Sequence, residues 1–164
     1  MKALILVVII SINLLASEHK ILIHGLTNHF KIESTYKTNT GSNYNETNEG
    51  IGYEYTTFND DSKVFYNLSG SVLNDSFYNA QYSLVVGANT ILLETELGDI
   101  QVGANIGVAY KKVSIKETKY YMLPIVFPRV TLKTKIVDFN IVAIPSVSAF
   151  GLVGFVHYSI GINL

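Results

Sequence analysis

The stretch KVFYNLSGSVLNDSFY, residues 63–78, decides the fold. Val64, Tyr66, Leu68 and Val72 share one parity, while Asn67, Ser69 and Ser71 take the other. A period of two is the signature of a β-strand with one apolar and one polar face. The strand then delivers Asp75 and Ser76, a carboxylate beside a hydroxyl, so what its two faces touch decides whether those groups sit on the rim of a site.

The same alternation recurs on both sides of this stretch. Downstream, Ala80, Tyr82, Leu84, Val86 and Ala88 alternate with Gln81, Ser83, Val85, Gly87 and Asn89, and Ile100 to Tyr110 repeats the pattern more clearly still. Upstream, Ile51, Tyr53 and Tyr55 alternate with Gly50, Gly52 and Glu54. The first strand, over 21–30, places Leu22, Leu26 and Phe30 on one parity and Gly25, Thr27 and His29 on the other, which groups His24 with the leucines. Strands over 120–132, 137–144 and 152–164 complete the set. Pro124 and Pro128 lie within the sixth; a proline donates no ladder hydrogen bond, so the pair marks an edge, a bulge or a local opening. Residues 33–48, ESTYKTNTGSNYNETN, have the composition of a long exposed loop, and 111–119 read as a charged loop. The fold expected is all-β, an eight-stranded antiparallel up-and-down barrel.

Charge placement decides what surrounds the barrel. The chain has 164 residues, of which 48% are hydrophobic and only 15% charged, with a mean hydropathy of +0.28. From Val64 to Tyr110 the only charged side chains are Asp75, Glu94, Glu96 and Asp99, all at strand ends or turns. A soluble barrel needs lysine and glutamate along its outer face, whereas here the second parity offers mainly Gly, Ser, Asn and Gln, which suits a narrow lumen. Strands of about 9 to 13 residues match a tilted crossing of a bilayer, and the many tyrosines suit interfacial girdles. A transmembrane β-barrel is therefore expected. Lys2, the apolar run from Ala3 to Ala16 and Ser17 read as a signal peptide over 1–17, leaving a mature barrel over 18–164. A net charge of -1 leaves no basic surplus for nucleic acid, and the absence of cysteine means no disulfide supports the fold.

If the cleaved N-terminus faces the periplasm, strand direction brings His29, Asp75 and Ser76 to one outer rim. An imidazole can shuttle a proton, a serine hydroxyl can attack or orient an acyl ester, and a carboxylate can orient the imidazole. Each residue alone also has a plainer role, Asp75 and Ser76 as turn formers and His29 as a polar lumen residue. No cofactor and no metal is expected.

With these residues in place the sequence resembles the lipid A palmitoyltransferase (PagP) family. The likeness runs through His29-Phe30, the polar loop and YNETNEGIGYEY, then LNDSFYNAQYSLVVG, then YYMLPIVFPRV followed by VDFNIVAIP. It implies an outer-membrane barrel, monomeric, that moves an acyl chain from a phospholipid donor to lipid A or a related lipid. His29, Asp75 and Ser76 would be its catalytic group, and Gly87 would stand at the floor of an interior acyl pocket. Two departures are visible: Glu18 to Lys20 leaves no room for the amphipathic helix preceding the family's barrel, and Ile136 replaces a proline associated with lateral lipid access. Two other functions compete, a non-enzymatic barrel serving adhesion or envelope integrity, and a lipid A deacylase, prompted by His157-Tyr158-Ser159.

Overall fold

A computed structural model describes residues 17–29, 45–59, 62–112, 118–144 and 154–164. The expected signal peptide, most of the 33–48 loop, Phe30 and Leu152 fall outside them, apart from Ser17. Eight strands follow one another: β1 (Ser17–His29), β2 (Thr47–Asn59), β3 (Val64–Asn74), β4 (Ala80–Thr95), β5 (Gly98–Lys111), β6 (Tyr121–Lys133), β7 (Val137–Ile144) and β8 (Phe155–Asn163). Each pairs antiparallel with its neighbour, and β8 returns to β1 to close the barrel. The β8–β1 pairing leaves neither terminal strand as a free sheet edge.

Alternation sorts the side chains as anticipated in the middle of the chain. Tyr66, Leu68 and Val72 of β3, Leu84 and Val86 of β4, and Ile106 and Val108 of β5 are exposed on the outside, whereas Phe65, Asn67, Val85, Asn89, Gln101 and Asn105 are buried within. An apolar surface this continuous is at home in hydrocarbon and not in water. Exposed tyrosines lie towards both ends of it, Tyr66 near the start of β3 at one and Tyr82, Tyr110 and Tyr121 at the other.

The first strand departs from its expected parity. Both of its ladders shift register just after His24, on the β2 side before Leu26 and on the β8 side before Thr27. Against β8 the extra residue lies in β1 around Gly25, against β2 it lies in β2, and across this irregularity the inward parity of β1 reverses. Leu22 and His24 point inward before it; Leu26 is 65% exposed outside, and Thr27 and His29 are buried inside after it. His24 and His29 therefore both face the lumen, so parity does not separate them.

The lumen is also more charged than β3 to β5 imply. Lys20, Glu54, Arg129 and Asp138 are buried at 6% exposure or less, all contributed by β1, β2, β6 and β7. Arg129 donates to both Glu54 carboxylate oxygens, and again to Asn140 Oδ1 at 2.8 Å. Lys20 meets Asp138 at 2.5 Å and Glu18 at 3.5 Å, and Lys133 donates to Glu18 at 2.6 Å. This network fills the half of the barrel away from the rim that carries His29 and Asn74.

The two prolines act as an opening. The β6–β7 ladder runs only from Lys133↔Asp138 to Arg129↔Val142. It stops next to Pro128, although β6 continues upstream to Tyr121 and Ala143 and Ile144 of β7 remain paired with β8. Among the described residues the wall is thus unzipped between β6 and β7 at Ala143 and Ile144, opposite Pro128 and Phe127.

Candidate functional site

The rim is built around the turn from Asp75 to Asn79. Asp75 Oδ1 accepts the backbone N–H groups of Phe77 at 2.8 Å and Asn79 at 2.9 Å, and Asp75 N–H donates to Asn79 O at 2.8 Å. A carboxylate that closes its own turn in this way explains the local choice of aspartate. Tyr78 sits in the turn with φ of 61°, a left-handed conformation that a non-glycine residue adopts at some cost.

Neighbouring strands lock the turn in place. Asn45 N–H donates to Ser76 O at 2.9 Å, and Asn45 Nδ2 donates to Asp75 O at 3.2 Å. Thr27 N–H in turn donates to Glu46 O at 2.8 Å, which ties the segment entering β2 to the end of β1. These contacts carry His29 to the serine: His29 Nε2 and Ser76 Oγ are 2.7 Å apart, both residues buried. With the hydroxyl as donor, the imidazole is the proton acceptor that general-base chemistry needs. Phe155 of β8 packs its ring 5.7 Å from the imidazole on the other side.

Asp75 is 1% exposed, and its second oxygen faces Lys111 Nζ at 3.4 Å. The expectation that 111–119 begins a loop is corrected here, because Lys111 is the last residue of β5 and turns inward over Phe77, 5.8 Å from its ring centroid. The carboxylate thus orients the turn and a cation. Lys111 and Asn45 are the two site residues not singled out from sequence. Inward parity at the end of β5 was the available signal for Lys111, and the YNETN segment for Asn45.

Below the pair an interior cavity descends towards the charged network. Ser76, Lys111 and Phe155 line its mouth, and Glu54, Arg129 and Asn140 its far end. Ile125, Phe127, Val142 and Ile144 form an apolar wall beside the β6–β7 opening. Gly87 lies beneath this space: Val85 and Asn105 line it, and a Cβ on Gly87 would collide with Asn105 Oδ1 and approach Asn67 Oδ1 to 2.9 Å. His157 and Ser159 share the same cavity, but the imidazole nitrogens of His157 are engaged by His24 and Thr27, each at 2.9 Å. Among the described residues no three acidic, histidine or cysteine side chains converge as a metal site.

A family model described as "Antimicrobial peptide resistance and lipid A acylation protein PagP" matches residues 11–159. The chain belongs to the PagP family. Its match spans all eight strands except the last residues of β8. Among solved structures it is similar to Neisserial surface protein A (NspA), at 10% identity and a TM-score of 0.49, covering 90% of this chain and 95% of that one. No curated protein matches. PagP membership makes lipid A acylation the activity of the family, and the barrel is of the outer-membrane type.

Proposed function

We propose that this PagP-family protein is an acyltransferase of the bacterial outer membrane, moving a long acyl chain from a phospholipid to a hydroxyl of lipid A or a related lipid. The observation that carries this reading is the 2.7 Å contact between His29 Nε2 and Ser76 Oγ at the mouth of an interior cavity. An acyl chain that enters through the unzipped β6–β7 wall lies along Ile125 and Phe127 with its ester at the rim. There the bond from the acyl carbon to the donor's glycerol oxygen breaks and a bond to the acceptor oxygen forms. The acceptor's proton passes through His29 to the departing glycerol oxygen, leaving a lysophospholipid. Ser76 takes part in acyl transfer at the ester, and Asp75 holds the turn that carries Ser76. Gly87, by giving Asn105 room, helps set how deep the chain reaches. The closed barrel, which needs no partner strand, supports action as a monomer.

The test is expression in an outer membrane followed by mass spectrometry of lipid A. An added acyl mass that disappears with His29→Ala and with Ser76→Ala is expected. Absence of the increment, or its survival in both variants, refutes the mechanism.

A further inference from the structure

The rim also carries a strip of groups on the outside of the barrel that the transfer step does not use. Tyr82 of β4 and Tyr110 of β5 are cross-strand partners, both exposed, with ring centroids 6.4 Å apart. Tyr110 in turn stacks on Tyr120, just before β6, at 5.0 Å and 26° from parallel. Lys112 Nζ stands over the Tyr120 ring, 5.5 Å from its centroid. Two consecutive lysines thus have different surroundings: Lys111 turns inward to Asp75, whereas Lys112 lies on the aromatic strip and forms no ion pair among the described residues. Tyr78, 64% exposed, sits in the turn between β3 and β4, two residues beyond Ser76. Asparagine or glycine adopts its φ of 61° at less cost, so the turn alone gives no reason for a tyrosine there.

A membrane boundary accounts for rings on a barrel, but not for the charge around these. The segment 111–119, KKVSIKETK, which joins β5 to β6, holds four lysines and one glutamate in a chain whose net charge is -1. Lysines clustered beside a membrane attract anionic headgroups. Aromatic faces, negative at their centres, receive the C–H face of a sugar ring. A ligand suited to both is a phosphorylated saccharide carried on a lipid, whereas a plain anionic phospholipid brings a phosphate but no ring to lie on the tyrosines. On the reading that the acceptor is lipid A or a related lipid, we infer that Tyr82, Tyr110, Tyr120 and Lys112 form its docking surface. The sugar lies on the tyrosines, a phosphate meets Lys112, and Tyr78 holds the edge nearest Ser76. Lys112 follows Lys111, whose Nζ is 3.4 Å from the carboxylate of Asp75, so an acceptor docked here is beside the reacting hydroxyl. The opening that admits the donor chain lies between β6 and β7. Donor and acceptor therefore reach the rim on opposite sides of β6 and do not compete.

The full-length protein in detergent is titrated, by native mass spectrometry, with bisphosphorylated lipid A, its dephosphorylated form and phosphatidylglycerol. The native protein should bind the bisphosphorylated form about tenfold tighter than the dephosphorylated one, a difference of about 1.4 kcal/mol. Lys112→Met should bring that ratio close to one, and Lys112→Arg should keep it. Tyr110→Leu should weaken both forms of lipid A and leave phosphatidylglycerol unchanged. Tyr78→Asn should weaken lipid A binding while leaving the barrel at least as resistant to urea, which a merely structural tyrosine would not do. The heat-dependent gel shift of a closed barrel confirms folding; if Tyr110→Leu does not fold, the Lys112 and Tyr78 variants decide. Equal binding of the two lipid A forms, a ratio that survives Lys112→Met, or phosphatidylglycerol binding that matches lipid A and falls equally in these variants overturns the inference. In the mass assay Lys112→Met should raise the acceptor's KM and leave kcat and the donor's KM unchanged. The expected binding pattern with no transfer by the native protein leaves the inference standing and refutes the acyltransferase reading; transfer with an acceptor KM indifferent to Lys112→Met does the reverse.

Discussion

Replacing Arg129 with leucine tests the charged half of the lumen. The guanidinium meets both oxygens of Glu54, donates to Asn140 Oδ1 and donates through Nε to Thr131 Oγ1 at 3.0 Å. In the native barrel Lys20, Arg129 and Lys133 balance Glu18, Glu54 and Asp138. Arg129→Leu leaves an excess negative charge at Glu54, which is 1% exposed and whose remaining cation, Lys20 Nζ, stands 3.9 Å away and is already held by Asp138. Removing one partner of a buried pair costs about 3–5 kcal/mol, because the other charge is stranded. That is roughly a thousandfold in the folding equilibrium. Reversible urea unfolding in lipid vesicles, followed by the gel mobility of folded and unfolded barrel, measures it. Adding Glu54→Leu restores neutrality and should return stability to within about 1 kcal/mol of the native protein. A loss below about 1 kcal/mol for Arg129→Leu, or a double variant no more stable than the single one, refutes the view that the network is a balanced, desolvated unit.

Further outcomes concern the rim and the wall. His29→Ala and Ser76→Ala should each lower the transfer rate by about 10²–10⁴, and the double variant should be no slower than the worse single one, because hydrogen-bonded partners act as a unit; additive losses in lipid A mass kinetics would count against a shared step. Lys111→Met should reduce kcat by about tenfold or more by leaving Asp75 buried without its cation, whereas Lys111→Arg should retain most of the rate; equal loss in both would point to packing over Phe77 instead. Cysteines replacing Phe127 and Ile144, which face each other where the β6–β7 ladder would continue, should close the wall when joined by a short thiol cross-linker, and transfer should stop until a cleavable linker is cut. Unchanged transfer in the cross-linked protein would remove lateral access through this opening.

The residues of β3 to β5 show how much the chain states on its own. Alternation is a local property, so Tyr66, Leu68 and Val72 announce a lipid-facing side, and Asn67, Ser69 and Ser71 a lumen, before any partner strand is known. The scarcity of charge over the same stretch settled the surroundings of the barrel, and turn chemistry marked Asp75. Strand direction alone brought His29 and Ser76 to one rim.

What tertiary structure decided is whatever depends on register. The bulge after His24 reverses parity by one residue, which no count along β1 reveals, and it is the reason His24 and His29 share the lumen. Glu54, Arg129 and Asp138 lie on three different strands, so their neutralisation appears only when β1, β2, β6 and β7 are set at fixed heights around a closed barrel. Lys111 reads as the start of a loop until closure turns it towards Asp75. Pro128 warned of a missing donor in β6, but only the ladder shows that β7 is the neighbour that lets go. A strand's faces are written in its own sequence; which faces meet, and at what depth, is set by hydrogen-bonded pairing between residues far apart in the chain.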